Sequence, residues 1–511
     1  MDFHNKARMY KRIFFNNLKD HPLSLSESKK TLLCLSHLNK KSKLLLLTYI
    51  SQGFILYTSQ MASLHTRLRN YDFAVISIGL FLVSLILTYA MLENQESMTP
   101  GITLDSVFSL LNILISIIMC AVSSASSFAS FNLSLFWTFN YIFLGMTPLT
   151  LSFDSSPYYL ANLASKETIL KANILIFLAL FVSAVTQILL IKSFRSKFPK
   201  VNLINYQKIY DNAKIVFYIY VIILFPVVSY LGGFSQIFRT TRFNNFSPTV
   251  NLPIYSIAYA IIYGIPSINA TCFMLLSKVN HIKVSKKYIF ITTTWCLLLS
   301  NPFGIARQTT LLMIMPILSI YAARIRVLRN ALLVSLPLII SFGSGIIDRY
   351  TGQFKFQALR PFSQNGDFDA FFQFANGIQV FDSVEFRPFR QLIGSLLFFV
   401  PRSIWEDKPL DTGVEVAKNF GLRFENLSAP WILENYANAR YLGIVLGAIL
   451  MIITLFYTQI GGLQDFRGTL YACTISGLIF IVLRGSLLQA TGMTVTCILT
   501  ATLHNFGSKK R

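Results

Sequence analysis

Charged side chains are scarce in this chain. Asp, Glu, Lys and Arg together make up 13% of its 511 residues, whereas hydrophobic residues make up 53% and aromatic residues 14%. A water-soluble domain carries roughly a quarter charged residues. The composition therefore excludes an ordinary soluble globular protein and predicts a polytopic membrane protein.

Cysteine is also scarce, and its positions exclude two kinds of site. The six cysteines stand at 34, 120, 272, 296, 473 and 497, in or beside apolar runs or in the N-terminal region. They form no CxxC pattern and no Cys/His spacing of the zinc-binding kind. We expect neither a disulfide nor a cysteine-bound metal, and the sequence predicts no cofactor.

Acidic residues are few relative to basic ones. The 22 Asp and Glu stand against 45 Lys and Arg, which gives a formal net charge of +23. Such an excess can indicate nucleic-acid binding, but here the bases lie in short segments between apolar runs, where they indicate membrane orientation. We therefore expect membrane lipid as a partner and no nucleic acid.

What the chain has in abundance is apolar runs of about 20 residues, the length that crosses a bilayer as a helix. They lack the alternation of β-barrel strands, so we predict an all-α fold. A further run at 44–60 contains Gln52 and Gln60 and is expected to lie at the membrane interface. The twelve predicted transmembrane helices cover 73–92, 104–123, 128–147, 169–191, 214–233, 253–276, 287–303, 308–323, 330–346, 441–460, 468–486 and 488–506.

The basic residues predict the orientation of these helices. The first 72 residues hold twelve Lys and Arg without the apolar core of a signal peptide, so we expect them in the cytoplasm. The predicted organisation is then a basic cytoplasmic N-terminal region (1–72), transmembrane helices 1–9 (73–346), a large external loop (347–440), and helices 10–12 with a cytoplasmic C-terminus (441–511).

The external loop concentrates the acids, with eleven of the 22 falling between 347 and 440. A polar site on the outer face is therefore expected. Within the loop, 367–384 is predicted to form an amphipathic helix and 391–401 a short apolar one. Both are too short to span a membrane, and we expect both to lie against its surface.

Candidate anion ligands are arginines on the outer side, where the positive-inside rule disfavours them. Their guanidinium groups fit phosphate oxygens bidentately, which would suit a phosphate-bearing ligand; snorkelling to lipid headgroups is the alternative. The candidates are Arg239, Arg242, Arg307 and Arg484 near helix ends, and Arg402 in the loop.

Acidic candidates fall into two groups. Asp367 and Asp369 form a DxD pattern, which can hold a divalent cation on a diphosphate, but helix capping is the favoured interpretation and no metal site is predicted. Loop carboxylates could instead act as general bases, with salt-bridge pairing as the alternative. These are Glu406, Asp407, Asp411 and Glu434, of which Glu434 is preferred because it precedes the helix predicted from 441.

Four short motifs accompany these candidates. The large loop contains FVPRSIWEDKP (399–409) and NLSAPWILENYANARYLG (426–443), and two arginines near helix ends lie in NPFGIARQT (301–309) and LRGS (483–486). The two loop stretches resemble those of the Wzy-type O-antigen and oligosaccharide repeat-unit polymerases of bacterial inner membranes, and the other two motifs resemble the outward arginine elements of that family. Arg440 stands where the resemblance leads us to expect glycine. The GIVLG pattern at 443–447 is typical of close helix packing.

The resemblance implies a GT-C-like membrane glycosyltransferase of lipopolysaccharide or capsule biosynthesis. It would transfer a growing glycan from undecaprenyl diphosphate to an incoming lipid-linked repeat unit at the periplasmic face. A chain-length regulator and a flippase would be further partners. The implied roles are catalysis for Glu434, Asp407 and Glu406, diphosphate binding for the five arginines, and substrate binding for Trp405, Lys408, Tyr436 and Asn438.

Three alternatives stay open from sequence. A lipid-linked oligosaccharide flippase should carry charges inside its spans and have two related halves. An O-antigen ligase would call for a histidine in the large loop, but all six histidines, at 4, 21, 37, 65, 281 and 504, fall on the side that we predict to be cytoplasmic. A non-enzymatic membrane scaffold is the third alternative.

Overall fold

The fold is helical throughout the described part of the chain, which contains no β-strand. The computed structural model describes residues 70–93, 103–126, 130–152, 154, 159–194, 204–238, 257–279, 282–301, 305–346, 362, 366–422 and 427–508. The predicted interfacial helix at 44–60 and most of the basic N-terminal region lie outside these residues. So do Arg239 and Arg242.

The described α-helices follow the apolar runs closely, because each run can satisfy its backbone hydrogen bonds only as a helix in an apolar environment. Two π-helical segments, Asn140–Met146 and Ala260–Gly264, continue directly into α-helix. In chain order the helices are α1 Asn70–Glu93, α2 Leu104–Ala125, α3 Phe131–Phe139, α4 Thr147–Leu151, α5 Lys166–Ser193, α6 Tyr206–Tyr230, α7 Phe234–Ile237, α8 Ile265–Leu276, α9 Lys286–Leu299, α10 Arg307–Ala322, α11 Arg326–Ile346, α12 Ala370–Ser383, α13 Arg390–Leu396, α14 Thr412–Asn419, α15 Trp431–Gln464, α16 Phe466–Arg484 and α17 Leu487–Asn505.

Seven helical segments in the described residues are long and apolar enough to cross a membrane. Others that the sequence predicts to span are shorter, such as α9 with 14 residues and α10 with 16. The protein is therefore an all-α membrane protein. The seven segments are Tyr71–Thr88, Leu104–Ala125, Lys166–Ser193, Tyr206–Tyr230, Ile257–Leu276, Trp431–Gly462 and Phe466–Arg484.

Described residues that border loops predicted on the same side of the membrane meet at the same end of the bundle. At the end that we call the basic end, the Asn205 backbone N–H donates to the Ser508 carbonyl at 2.8 Å, and Arg467 donates to the Ser508 hydroxyl. At the opposite end, the loop end, residues 366–422 pack over the helices, and the Ser165 backbone N–H donates to Gln379 at 3.0 Å.

The segment predicted as an amphipathic surface helix is buried instead. Phe371, Phe372 and Phe374 of α12 are enclosed, and so are Gln373 and Asn376 on its polar face. The helix packs against α5 and α15. Its polar face, which in an amphipathic surface helix would contact water, therefore contacts protein. The prediction that 367–384 lies on the membrane surface is wrong for this reason. In contrast, the short helix α13 exposes Ile393 and Leu396.

Helix α15 begins ten residues before the predicted position 441 and is broken. Its backbone leaves helical geometry at Ala439 and Arg440, where Arg440 has φ 51° and ψ −132°. The Asn435 carbonyl touches Gly443, and the Asn435 side chain touches Gly447. In a straight helix, Asn435 would lie about 12 Å from Gly443 and about 18 Å from Gly447 along the axis. Residues 431–438 therefore fold back over the start of the membrane-spanning part of α15.

Arg440 holds this break by stacking and hydrogen bonding. Its guanidinium carbon lies 5.0 Å from the Phe386 ring centroid and 5.3 Å from that of Tyr436, and its Nη2 donates to the Phe381 carbonyl. The positive φ is the backbone region that glycine tolerates best. The expected glycine is thus replaced by an arginine that compensates for the backbone conformation through cation–π contacts.

Candidate active site

The turn between α16 and α17 lies beside two of the five predicted anion ligands, Arg307 and Arg484, and beside the preferred base, Glu434. This turn, residues 484–487, contains Gly485, where an added Cβ would lie 2.7 Å from the Ile481 carbonyl, so only glycine fits without movement. Ser486 begins α17 as its N-cap residue. Because the turn is short, the end of one helix and the start of the next lie side by side at the loop end.

On one side of the turn lie two arginines, each paired with an acid of the DxD pattern. Arg484 Nη2 lies 2.9 Å from Asp369 Oδ1, and Arg307 Nη1 lies 2.5 Å from Asp367 Oδ2. Arg484 also donates to the Gly366 carbonyl at 3.5 Å. The structure therefore joins Arg307, Arg484 and the DxD acids in one group, which we call the arginine pair with its two aspartates.

The favoured interpretation of the DxD pattern as a helix cap does not describe Asp369. Asp369 occupies the N-cap position of α12, but its side chain makes no capping hydrogen bond. It bonds to Arg484 instead, since a largely buried guanidinium is costly without a counter-charge. Arg484 Nε is buried and makes no hydrogen bond among the described residues.

On the other side of the turn lie three carboxyl groups, which we call the carboxyl cluster: Asp411, Glu415 and Glu434. Glu434 Oε1 accepts a hydrogen bond from the Leu487 backbone N–H at 2.8 Å and so caps the start of α17. Asp411 accepts from the Ser486 hydroxyl through Oδ2 and from the Gly413 N–H through Oδ1.

Glu434 is the member of this cluster with a free acceptor. It is 5% exposed in the first turn of α15, and its Oε2 makes no hydrogen bond within the described part of the chain. The Thr412 side chain lies beside this carboxyl. A carboxyl oxygen that is held in place by its twin is suited to accept a proton from a ligand hydroxyl when the group is ionised.

The two loop acids near Glu434 have altered acidity. Burial raises the pKa of Asp411 above its ordinary value, and hydrogen bonds from Ser486 and the Gly413 backbone oppose this shift. Burial also raises the pKa of Glu415, against the positive charge of Arg390 and a hydrogen bond from Gln391. Both carboxyl groups are therefore easier to protonate than they would be in water.

Arg402 and Lys408 brace the loop rather than contact this cluster. Arg402 donates to the carbonyls of Lys408 and Pro409 at 2.5 and 2.8 Å. The Lys408 ammonium is buried and donates to the carbonyls of Phe398 and Val400, both at 2.8 Å. Burial lowers the pKa of Lys408, and the nearby charge of Arg402 adds to this effect. Both cations thus satisfy carbonyl groups within the segment 398–409.

Trp405, Glu406 and Asp407 lie on the turn of the same segment. Trp405 is half-buried, whereas Glu406 and Asp407 are exposed. Asp407 is held through its backbone carbonyl, which accepts from Arg390 at 3.2 Å. In the described residues, no contact joins the Glu406 or Asp407 carboxylate to Glu434 or Arg484.

Tyr436 and Asn438 connect α15 to its neighbours. The Tyr436 hydroxyl donates to Asp382 at 2.5 Å, and Asp382 also pairs with Lys171 at 2.6 Å. Asn438 accepts from the Leu392 backbone N–H and donates to the Glu434 carbonyl, both within 2.8 Å. Asn438 therefore fixes α13 to the turn of α15 that carries Glu434.

Sequence reasoning passed over Ser486 and Gln373. Ser486 lies within the LRGS element, and its bond to Asp411 joins residues 75 apart in the chain, so no local pattern could reveal it. Gln373 lies within 367–384, for which the sequence predicts only an amphipathic helix at the membrane surface. Among the described residues, no group of three or more His, Cys, Asp or Glu could hold a metal ion.

Comparisons with protein-family models, with curated proteins and with solved structures found no match to this chain.

Proposed function

We propose that the protein is a polymerase of lipid-linked oligosaccharide repeat units. It transfers the growing glycan from undecaprenyl diphosphate to a hydroxyl of an incoming lipid-linked unit. The observation that carries the proposal is the 484–487 turn, which has the arginine pair on one side and the Glu434 carboxyl on the other. The resemblance of 398–443 to the Wzy-type polymerases supports the same assignment.

The arginine pair is suited to a diphosphate leaving group. Arg307 and Arg484 come from different helices and are held in place by Asp367 and Asp369. A carboxylate and a phosphate present similar oxygen pairs to a guanidinium, so a diphosphate can compete for the same donors. Charge develops on the leaving diphosphate as the glycosidic carbon–oxygen bond breaks, and donors already positioned for that charge stabilise the transition state.

Glu434 supplies the other half of the reaction. Its Oε2 takes the proton from the acceptor hydroxyl as that oxygen attacks the anomeric carbon. The electron pair of the broken bond leaves with undecaprenyl diphosphate, so the products are one glycosidic bond, the lipid diphosphate and a protonated Glu434. Because the diphosphate already activates the donor, the reaction needs neither ATP nor a nucleotide sugar.

The proposed location is the bacterial inner membrane, with twelve spans and the loop end in the periplasm. The distribution of bases supports this orientation, since Asn205 and Ser508, which border two segments rich in Lys and Arg, meet at the opposite end of the bundle. The exposed apolar side chains of α13, among them Leu396 and Ile393, suit contact with lipid near the site.

The test is a gel of the surface glycan from a strain that lacks this gene. A glycan truncated to a single repeat, restored to a ladder by the wild-type gene, supports the polymerase. Complete loss of the glycan from the surface would point to a flippase or ligase instead, and an unchanged ladder would remove the protein from glycan assembly.

A further inference from the structure

A buried amide beside the proposed site has no hydrogen-bond partner in the part of the chain that the structure describes. Gln373 of α12 is 0% exposed, and neither its Nε2 nor its Oε1 makes a hydrogen bond among the described residues. A buried amide without hydrogen bonds destabilises a fold, and native proteins rarely keep one without a reason. The Gln373 side chain therefore calls for a partner that the described residues do not supply.

The position of Gln373 on its helix places it between the two halves of the site. Residues 369, 373 and 377 are spaced four apart, so each is rotated by about 40° around the α12 axis relative to the one before it. Asp369 binds Arg484, and the Leu433 side chain lies directly on the Gly377 backbone. Gln373 consequently faces the space between Arg484 and the first turn of α15, which carries Glu434.

The chemistry of the side chain limits what its partner can be. A primary amide offers two donors and an acceptor without charge, which matches a pair of sugar hydroxyls or an acetamido group rather than a phosphate. We propose that Gln373 binds the sugar ring at the site of bond formation, between the diphosphate held by Arg484 and the base Glu434. This assignment rests on the proposed function.

Access to Gln373 depends on the segment 366–369. Its ion pairs to α10 and α16 are the ones for which a diphosphate would compete, through Arg307 and Arg484. Arrival of the lipid diphosphate therefore loosens the segment at the point where the sugar must enter. The neutral amide becomes reachable only when the charged end of the substrate is bound.

The test uses Gln373→Met, which keeps the length of the side chain and removes its polar atoms. Because those atoms have no partner among the described residues, the purified variant is expected to melt at the same or a higher temperature than the wild type. Because they bind the sugar, the variant in the deletion strain is expected to lose the long bands of the glycan ladder, with extension slowed on the order of tenfold or more.

Asn112→Leu is the matched control. Asn112 on α2 is also 0% exposed with both amide atoms unpartnered, but its helix packs against α1 and α5. It should show the same effect on melting and a normal ladder. A normal ladder from Gln373→Met overturns the proposal, and so does a lower melting temperature, which would mean that the amide is bonded within the protein. Failure of the wild-type gene to restore any ladder refutes the proposed function itself.

Discussion

Replacing Glu434 with glutamine separates its two roles in the structure. One oxygen, Oε1, caps α17 through the Leu487 backbone N–H at 2.8 Å, and the other, Oε2, is the proposed proton acceptor. The amide oxygen of Glu434→Gln can keep the capping bond, so the free energy of unfolding should change by less than about 1 kcal/mol. Glu434→Ala removes the cap as well and should cost about 1 kcal/mol more.

The effect of Glu434→Gln on the reaction should be much larger than its effect on folding. A positioned general base contributes about 10²- to 10⁴-fold in rate, which corresponds to about 3–5 kcal/mol of activation free energy. We therefore expect extension of lipid-linked repeats to fall by at least about a hundredfold while binding of the lipid-linked substrate changes little.

The assay measures single-turnover extension by purified protein in lipid nanodiscs, with repeat units extracted from the source strain. Glu385→Gln is the control, because the Glu385 side chain is 77% exposed in the same loop and pairs only with Arg387 in the described residues. Its rate and melting temperature should match those of the wild type. If Glu434→Gln extends repeats at close to the wild-type rate, Glu434 is not the base.

Four further predictions follow from other parts of the structure. Arg484→Ala should abolish long glycan chains, and Arg484→Lys should restore them only in part, since lysine keeps the charge but lacks the bidentate guanidinium geometry. Identical glycan ladders from the two variants would contradict diphosphate recognition by Arg484. Arg440→Ala should lower the free energy of unfolding by about 1 kcal/mol more than Arg440→Gly, because only glycine adopts φ 51° without backbone strain. Equal decreases in the melting temperatures of the two variants would show that the backbone is not strained at this residue. The pKa of Asp411 is higher in the folded protein than in the unfolded chain, so protonation of Asp411 stabilises the fold. This contribution is fully present below the pKa of Asp411 in the unfolded chain and is lost as pH rises through its pKa in the folded protein. The melting temperature of Asp411→Asn should therefore fall less than that of the wild type between about pH 4 and pH 7, and parallel curves would count against the shift. An impermeant thiol reagent should label Glu385→Cys but not Lys283→Cys in intact spheroplasts, and the reverse pattern would invert the topology.

The sequence predicts helix positions well here because membrane helices are long apolar runs with a single way to satisfy their backbone. Hydropathy is less informative for α12. Its amides at Gln373 and Asn376 lie on one face, which normally indicates water, but neighbouring helices cover that face. Burial of this kind depends on which distant helices pack together, and a periodic pattern within one helix does not contain that information.

The candidate site could likewise be predicted only in part from the sequence. Arg307 and Arg484 could be identified because the sequence predicts them on the outer side, where the charge rule of membrane topology disfavours cations. Their pairing with Asp367 and Asp369 joins residues 60 and 115 apart in the chain, beyond any local pattern. The start of α15 was missed because the polar residues of WILENYANAR look like loop sequence, whereas in the structure they form the helical segment that folds back.

The fold-back of α15 determines what the Gly443 and Gly447 face can do in the membrane. Two glycines four residues apart on a membrane helix commonly form a contact surface for a second helix, in the same or another molecule. Here Asn435 of the same chain already fills that groove. Residues 431–438 are covalently joined to the helix that carries the groove, so they occupy it in preference to a second molecule. Self-association through this face would require residues 431–438, including Glu434, to detach. A dimer built on these glycines would therefore be incompatible with the capped start of α17.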